Sequence, residues 1–165
     1  LAQVEGEGFV DIVLDKPPFY AECGGQVGDS GIIESENLKA EVLTTFKVND
    51  LYVHRCEILN GEVVIGDVVK ATIDLARREN IRVHHTSAHL LQSALINVLG
   101  DEVKQAGSLV EENRMRFDFT FSRAMTPDEI VKVEDDKVTI NIDGESKGSF
   151  DYEYVKDETD KNKGT

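Results

Sequence analysis

Two histidines four residues apart, His85 and His89, are the side chains of this sequence best suited to chemistry. An apolar run follows them and ends at Gly100, a pattern that predicts a helix stopped by glycine. Because residues i and i+4 lie on one face of a helix, both imidazoles are expected to point to one spot. Such a pair can bind zinc or a similar metal, although the same spacing is also common among ordinary surface and core residues.

A glycine-rich stretch at residues 17–31 is the second unusual feature, with four glycines in its last eight residues. Its opening Pro17-Pro18 pair and these glycines argue against a regular helix or a central strand. Glycine permits positive φ and a close approach of the backbone, so the loop can bring Gln26 and neighbouring N–H groups against a ligand. The plainer interpretation is a long turn that joins two strands.

Together the two features closely resemble the editing domain of alanyl-tRNA synthetase and its free-standing relatives, which deacylate mischarged tRNA. The family carries the loop PFYAESGGQxGD and the helix start NHTATHLL, where this sequence has PFYAECGGQVGD and HHTSAHLL. Cys23 and His84 thus replace a serine and an asparagine, and Ser87 and Ala88 replace an alanine and a threonine. Further similar segments lie at 77–78, 104–110, 116–119 and 126–129, so the resemblance covers about residues 5–135.

The resemblance implies roles for individual residues. His85 and His89 match two ligands of a Zn²⁺ ion, while His84 is given no metal role. Gln26 and Thr86 are the catalytic candidates for orienting the substrate or water, because an amide both donates and accepts hydrogen bonds and the hydroxyl lies beside the first ligand. Candidates for contact with the substrate or the tRNA are Gly24, Gly25, Arg77, Arg78, Lys104 and Arg116.

One part of the family's metal site is missing from this sequence. The family supplies a cysteine and a third histidine from a downstream Cys-Gly-Gly-Thr-His segment, whereas here the last cysteine is Cys56 and the last histidine is His89. Two imidazoles hold zinc poorly without further ligands. We therefore expect the Zn²⁺ site of this chain to be incomplete, and empty or weakly filled.

The function implied by the resemblance is hydrolysis of the ester that joins serine or glycine to the tRNA for alanine, within an alanine-tRNA ligase. The expected partners are that tRNA and the other domains of a full-length synthetase. The sequence HTSAH at 85–89 lacks the glutamate base of a metalloprotease. Two alternatives stay open, an inactive tRNA-binding or interdomain module and a free-standing editing protein, while a threonyl-tRNA synthetase editing domain is less favoured.

Composition limits the class of protein. The net charge of −14 argues against indiscriminate binding to nucleic acid, although residues 76–123 are the least acidic part of the chain. The sequence has no apolar run long enough for a transmembrane helix, so no membrane association is expected. Two distant cysteines favour a reducing cytoplasm. The first residue is Leu1 rather than methionine, which suggests a piece of a larger protein.

The order of elements predicts an α+β fold, a mostly antiparallel curved sheet with one long packed helix carrying His-x-x-x-His. We expect a domain at 1–135 and an acidic, strand-like tail at 136–165 with strands at 137–142 and 150–155. The histidine helix is expected to begin near His85 and to pack Leu91, Leu95 and Val98 on the sheet. Turns are predicted at 49–50 and, as a hairpin connection, at 60–62. The sequence TPDE at 126–129 is a capping box that should start a second helix.

Two side chains of the strand-like segment 52–56 are expected to be structural. His54 is a histidine without a neighbouring ligand, and Cys56 is an isolated cysteine of the kind that is usually a small buried apolar residue. Cys23 lies in the glycine loop, but a nucleophilic role is disfavoured because the family has serine at that position.

Overall fold

A computed structural model describes residues 2–5, 9–135, 141–142 and 145–146 of the chain. It has the expected α+β architecture, and its paired strands are antiparallel. The elements are β1 (Ala2–Glu5), β2 (Phe9–Val13), β3 (Gly31–Glu34), β4 (Leu38–Val48), β5 (Leu51–Gly61), β6 (Lys70–Ile73), α1 (Leu75–Leu99), β7 (Lys104–Val110), β8 (Met115–Thr120), α2 (Pro127–Asp135), β9 (Asn141–Ile142) and β10 (Glu145–Ser146).

The first six strands form one sheet in the order β1-β2-β5-β4-β3-β6. The long strands β4 and β5 form a hairpin through the predicted turn, where Asn49 adopts a φ of +54°. Apolar side chains alternate along β4 and pack with those of β2 and β3 into one core, as period-two burial requires. Its buried members are Val10, Ile12, Phe19, Ile33, Leu38, Ala40, Val42 and Cys56.

The predicted hairpin connection at 60–62 is wrong. β5 continues to Gly61, which pairs with Leu38 of β4. β6 does not pair with β5 but with β3, at the edge of the sheet. The backbone at Gly61 lies against the carbonyl of Asn37 with a φ of +82°, and the Glu62 N–H donates to that carbonyl at 3.2 Å. This contact extends the pairing of β4 with β5. Glycine is therefore required at position 61 because the two backbones lie close together there, and not because the chain reverses direction.

Helix α1 begins at Leu75, ten residues before the expected start near His85. Asp74 caps it, because the carboxylate accepts the Arg77 N–H at 3.0 Å. The first turns carry charged residues, so apolar periodicity did not reveal them. The end of the helix is as predicted, since the Gly100 N–H donates to the Ile96 carbonyl at 2.8 Å.

The apolar face of α1 packs on the two-stranded sheet of β7 and β8 and on α2. Leu91, Leu95 and Val98 all belong to this second core, which differs from the expectation that they pack on the main sheet. Aromatic residues of the β8 region supply the opposite wall of the core. They are Phe117, Phe119 and Phe121.

The capping box predicted at 126–129 is present. The Glu129 carboxylate accepts the Thr126 N–H at 2.8 Å, and the Glu129 N–H donates to the Thr126 hydroxyl at 3.3 Å. An ion pair between Arg123 and Glu129 lowers the pKa of the Glu129 carboxyl to about 2. Helix α2 starts at Pro127, as this box predicts.

Little of the predicted tail falls on described residues. β9 and β10 pair as two short antiparallel strands. The remainder of the strand expected at 137–142 and the whole of the strand expected at 150–155 lie outside the described residues. Within the described part of the chain, neither helix is long and apolar enough to cross a membrane.

Candidate functional site

The tip of the glycine loop is a two-residue turn. The N–H groups of Cys23 and Gln26 donate to each other's carbonyls at 3.2 and 3.0 Å. Gly24 and Gly25 between them have φ values of +61° and +85°, the signs that a type I′ turn requires. Glycine occupies both positions because other residues rarely adopt positive φ.

One side of this loop is joined to β7. The Val110 N–H donates to the Gly25 carbonyl at 2.8 Å, and the Val27 N–H donates to the Val110 carbonyl at 3.1 Å. A Cβ on Gly25 would lie under 3.0 Å from both the carbonyl and the hydroxyl oxygen of Ser108. The backbone can therefore approach β7 this closely only without a side chain at Gly25.

The loop is also joined to the large sheet. The Glu22 N–H donates to the Thr45 carbonyl at 2.8 Å, and the Thr45 hydroxyl donates to the Asp29 carbonyl at 3.1 Å. Gly28 lies against the backbone of Thr45 with no room for a Cβ. The glycine loop thus connects the large sheet to the half of the protein that contains α1 and β7.

Gln26 contacts the first of the two histidines. Its Oε1 lies 2.6 Å from Nδ1 of His85. Since an amide oxygen only accepts hydrogen bonds, Nδ1 of His85 carries the hydrogen in this arrangement. The lone pair of the neutral ring is therefore on Nε2, which makes that atom available to a proton or to a metal ion.

The two histidines lie on one face of α1. The rings of His85 and His89 stack with centroids 5.0 Å apart and planes 20° from parallel. His85 is half-buried beneath the glycine loop, whereas His89 is exposed. Folding thus brings Gln26, His85 and His89 together at the junction between loop and helix.

This arrangement does not by itself fit a zinc ion. The described residues contain no group of three or more His, Cys, Asp or Glu side chains that could hold a metal. Zinc in proteins normally has three or four protein ligands. His85 and His89 supply two imidazoles, so a family-type site would need two further ligands.

Thr86 and Cys23 do not join this cluster. The exposed hydroxyl of Thr86 donates to the Arg82 carbonyl at 3.0 Å, one helical turn earlier. Cys23 is exposed at the tip of the glycine loop. A catalytic role for Thr86 stays a prediction.

The four basic residues expected to contact substrate or tRNA differ in their surroundings. Arg77 and Arg78 are bonded to the glycine loop, whereas Lys104 and Arg116 are exposed on β7 and β8. Arg116 pairs with Asp118 at 3.1 Å. In the described part of the chain, neither Lys104 nor Arg116 is bonded to an imidazole. A contact of any of the four with tRNA stays a prediction.

Asp29 is the residue of this region that the sequence analysis missed. Its side chain is only 2% exposed, and both carboxylate oxygens accept hydrogen bonds from Arg78. The Tyr20 N–H also donates to it. The signal was present, because Asp29 is the last residue of the loop motif that carries the family resemblance.

His54 and Cys56 are buried in the large sheet, as expected of structural residues. Nδ1 of His54 donates to the Ile12 carbonyl at 2.8 Å, and its ring packs edge-on against Phe19. Burial lowers the pKa of His54, and burial raises the pKa of the Cys56 thiol to about 12. Both side chains are therefore uncharged at neutral pH.

The chain is similar to known proteins over most of its length. A family model described as tRNA synthetases class II (A) matches residues 1–77. The chain is 57% identical over 127 residues to the alanine–tRNA ligase of Acetivibrio thermocellus, which is 76% of this chain and 14% of that protein. It is 48% identical over 133 residues to that of Synechococcus sp. strain JA-3-3Ab, which is 81% and 15% of the two chains.

A third relative gives the same result. The alanine–tRNA ligase of Wolbachia pipientis wMel is 49% identical over 132 residues, or 79% of this chain and 15% of the relative. The chain therefore spans about one seventh of the length of the curated relatives it matches. Over about four fifths of its length, this chain belongs to the alanyl-tRNA synthetase family.

Proposed function

We propose that this chain is part of an editing module that hydrolyses the ester of serine or glycine mischarged on the tRNA for alanine. The observation that carries the proposal is the cluster of Gln26, His85 and His89. It combines an amide that fixes the tautomer of one imidazole with a second imidazole stacked beside it. Such a cluster offers ring nitrogens of two neighbouring imidazoles to a small polar group.

Ester hydrolysis needs an activated water and an acceptor for its proton. Nε2 of His85 takes a proton from water, and the water oxygen attacks the ester carbonyl carbon. The bond between that carbon and the ribose oxygen then breaks, and the ribose oxygen takes up a proton. The products are a free amino acid and a deacylated tRNA.

Zinc is a further part of the proposal for the whole protein. With zinc bound, the lone pair on Nε2 of His85 and a nitrogen of His89 would serve as ligands. His85 would then not act as the base, and the ion would supply the polarisation of water and ester oxygens in its place. The remaining ligands would have to come from outside the described residues. We also propose that the chain is part of an alanine-tRNA ligase in the cytoplasm. There it would bind tRNA next to the other domains of that synthetase.

Selectivity for serine over alanine in such a site rests on the hydroxyl of serine, a contact that does not account for glycine. A polar pocket that hydrogen-bonds a hydroxyl discriminates against an analogue that lacks it far better than an apolar pocket excludes an extra hydroxyl. Gln26 is the candidate for this contact whose side chain lies on His85. Thr86 is a candidate through the family resemblance, although its hydroxyl donates to the Arg82 carbonyl. Alanine cannot make the same contact, so correctly charged tRNA would be spared.

A second candidate function is a binding module without activity of its own. It is favoured because no third metal-ligating side chain joins His85 and His89 within the described residues, and two imidazoles alone hold zinc poorly. In that case the chain would bind tRNA or neighbouring synthetase domains and would not release serine.

A deacylation assay separates the two functions. The chain is incubated with seryl-tRNA and alanyl-tRNA, both specific for alanine, with and without added zinc. The double variant H85A/H89A tests the site, and His84→Asn serves as the matched control because asparagine is the residue that the family has there.

Editing predicts release of serine that the double variant abolishes and the control retains. Equal hydrolysis of the two tRNAs would remove the case for editing. Binding of tRNA without hydrolysis under both conditions would favour the second function.

A further inference from the structure

A buried ion pair joins the start of α1 to the glycine loop. Nε and Nη2 of Arg78 donate to the two oxygens of Asp29, and Nη2 also donates to the Pro18 carbonyl at 3.3 Å. The Asp29 side chain is 2% exposed and that of Arg78 is 28% exposed. Two parallel bonds from a planar guanidinium fix direction as well as distance, which a lysine cannot reproduce.

Arg77 adds a second connection at the same place. Its Nη1 donates to the Gly28 carbonyl at 2.8 Å, and its Nε pairs with Glu112 at 2.5 Å. Glu112 lies in the turn between β7 and β8. The two arginines therefore hold the end of the glycine loop against both the helix and the small sheet.

The spacing along α1 relates this contact to the imidazoles. His85 and His89 follow Arg78 by seven and eleven residues, which places all three on one face of the helix. At 1.5 Å per residue, His85 lies about 10 Å along the axis from Arg78. Asp29 and Gln26 are three residues apart in the loop, so fixing Asp29 on Arg78 restricts where Gln26 can reach.

We propose that Arg78 and Asp29 are positioning residues that hold Gln26 on Nδ1 of His85 and thereby keep the lone pair on Nε2. This assigns Arg78 an internal role instead of the tRNA contact expected from the sequence, and it rests on the proposed function only for its catalytic consequence. The tautomer itself is a property of the protein without substrate. Its measurement does not depend on whether the chain deacylates tRNA.

The experiment is a ¹⁵N nuclear magnetic resonance spectrum of the histidine rings in mildly alkaline buffer, where imidazoles are neutral. The protonated and unprotonated ring nitrogens resonate at distinct frequencies, so the spectrum reports the tautomer of His85. Arg78→Lys keeps the positive charge but cannot form the two parallel hydrogen bonds to Asp29. Asp29→Asn keeps the shape of the side chain and removes its negative charge. Arg82→Lys is the matched control, because Arg82 lies one turn further along and pairs with Glu79 on the surface.

We expect a wild-type spectrum with hydrogen on Nδ1 of His85. Arg78→Lys and Asp29→Asn should shift His85 toward a mixture of tautomers, while Arg82→Lys leaves it unchanged. Where serine release is measurable, kcat should fall by up to about 100-fold in Arg78→Lys, the loss that a small misplacement of a reacting group can cause. KM should change little, because no substrate contact is removed.

A wild-type spectrum with hydrogen on Nε2 would overturn the proposal, as would an unchanged His85 tautomer in folded Arg78→Lys and Asp29→Asn. If both variants fail to fold, the double variant Asp29→Asn/Arg78→Gln decides, because two neutral amide side chains leave no buried charge without a partner. It should shift His85 toward a mixture of tautomers. An unchanged His85 tautomer in that folded double variant would overturn the proposal.

Discussion

The sharpest structural prediction concerns the two glycines of the type I′ turn. Replacing Gly24 with alanine should cost about 1–2 kcal/mol, the usual penalty for a left-handed conformation at a residue with a Cβ. A Cβ at Gly24 would meet nothing within 4 Å. At Gly25 the same penalty applies, but the Cβ would also collide with Ser108 of β7. Overpacking against well-ordered neighbours adds about 1–3 kcal/mol.

Urea unfolding followed by circular dichroism measures both variants. The free energy of unfolding of Gly25→Ala should be about 1–3 kcal/mol lower than that of Gly24→Ala. The slope of that free energy against urea concentration should be the same in both variants. Adding Ser108→Ala to Gly25→Ala should not recover the lost free energy of unfolding. That change removes only the hydroxyl, at 2.5 Å from the added Cβ, and leaves the nearer carbonyl oxygen in place.

Two outcomes would refute this reasoning. Equal destabilisation of Gly24→Ala and Gly25→Ala would mean that the glycine loop can move away from β7 at no cost. Recovery of the free energy of unfolding when Ser108→Ala is added to Gly25→Ala would mean that the backbone of β7 does not block a Cβ at position 25. In either case the close approach of loop and strand would not be what requires glycine.

Three further predictions concern the site and its surroundings. Gln26→Ala should weaken serine release in the deacylation assay without lowering the midpoint of urea unfolding, because Gln26 lies on a loop and outside both cores; a parallel loss of stability would contradict this. Lowering the pH should destabilise the protein through His54. Its folded pKa is depressed below the ordinary 6.5, so the unfolded chain gains a proton first, and the free energy of unfolding should fall as the pH drops below 6.5. His54→Asn should flatten that pH dependence, and an unaltered curve would exclude His54 as its cause. Calorimetric titration with zinc should give weak binding that H85A/H89A removes, whereas tight stoichiometric binding by four protein ligands of this chain would show that the described residues are not the whole site.

Much of the local structure is encoded in short segments of the sequence. The capping box at Thr126 and the stop at Gly100 are set by hydrogen bonds to residues three or four positions away. The alternation along β4 reflects the pleat of a single strand. The spacing of His85 and His89 likewise places both rings on one helix face without help from other elements. These features depend on near neighbours, so they can be predicted from the residues themselves.

Other features depend on residues far apart in the chain. The role of Gly61 depends on the carbonyl of Asn37, and the face on which α1 packs depends on aromatic residues of the β8 region. No local pattern contains these partners.

The site shows the same division. The family resemblance of the glycine loop and the histidine helix pointed to a shared site of Gln26 and His85, but not to the atoms that meet. Asp29 and Arg78 are separated by 49 residues in the chain, and Gln26 and His85 by 59. Only the packing of the loop between the two sheets brings these pairs into contact. A buried carboxylate is stable there because the guanidinium fork satisfies both of its oxygens, and that requires the folded chain.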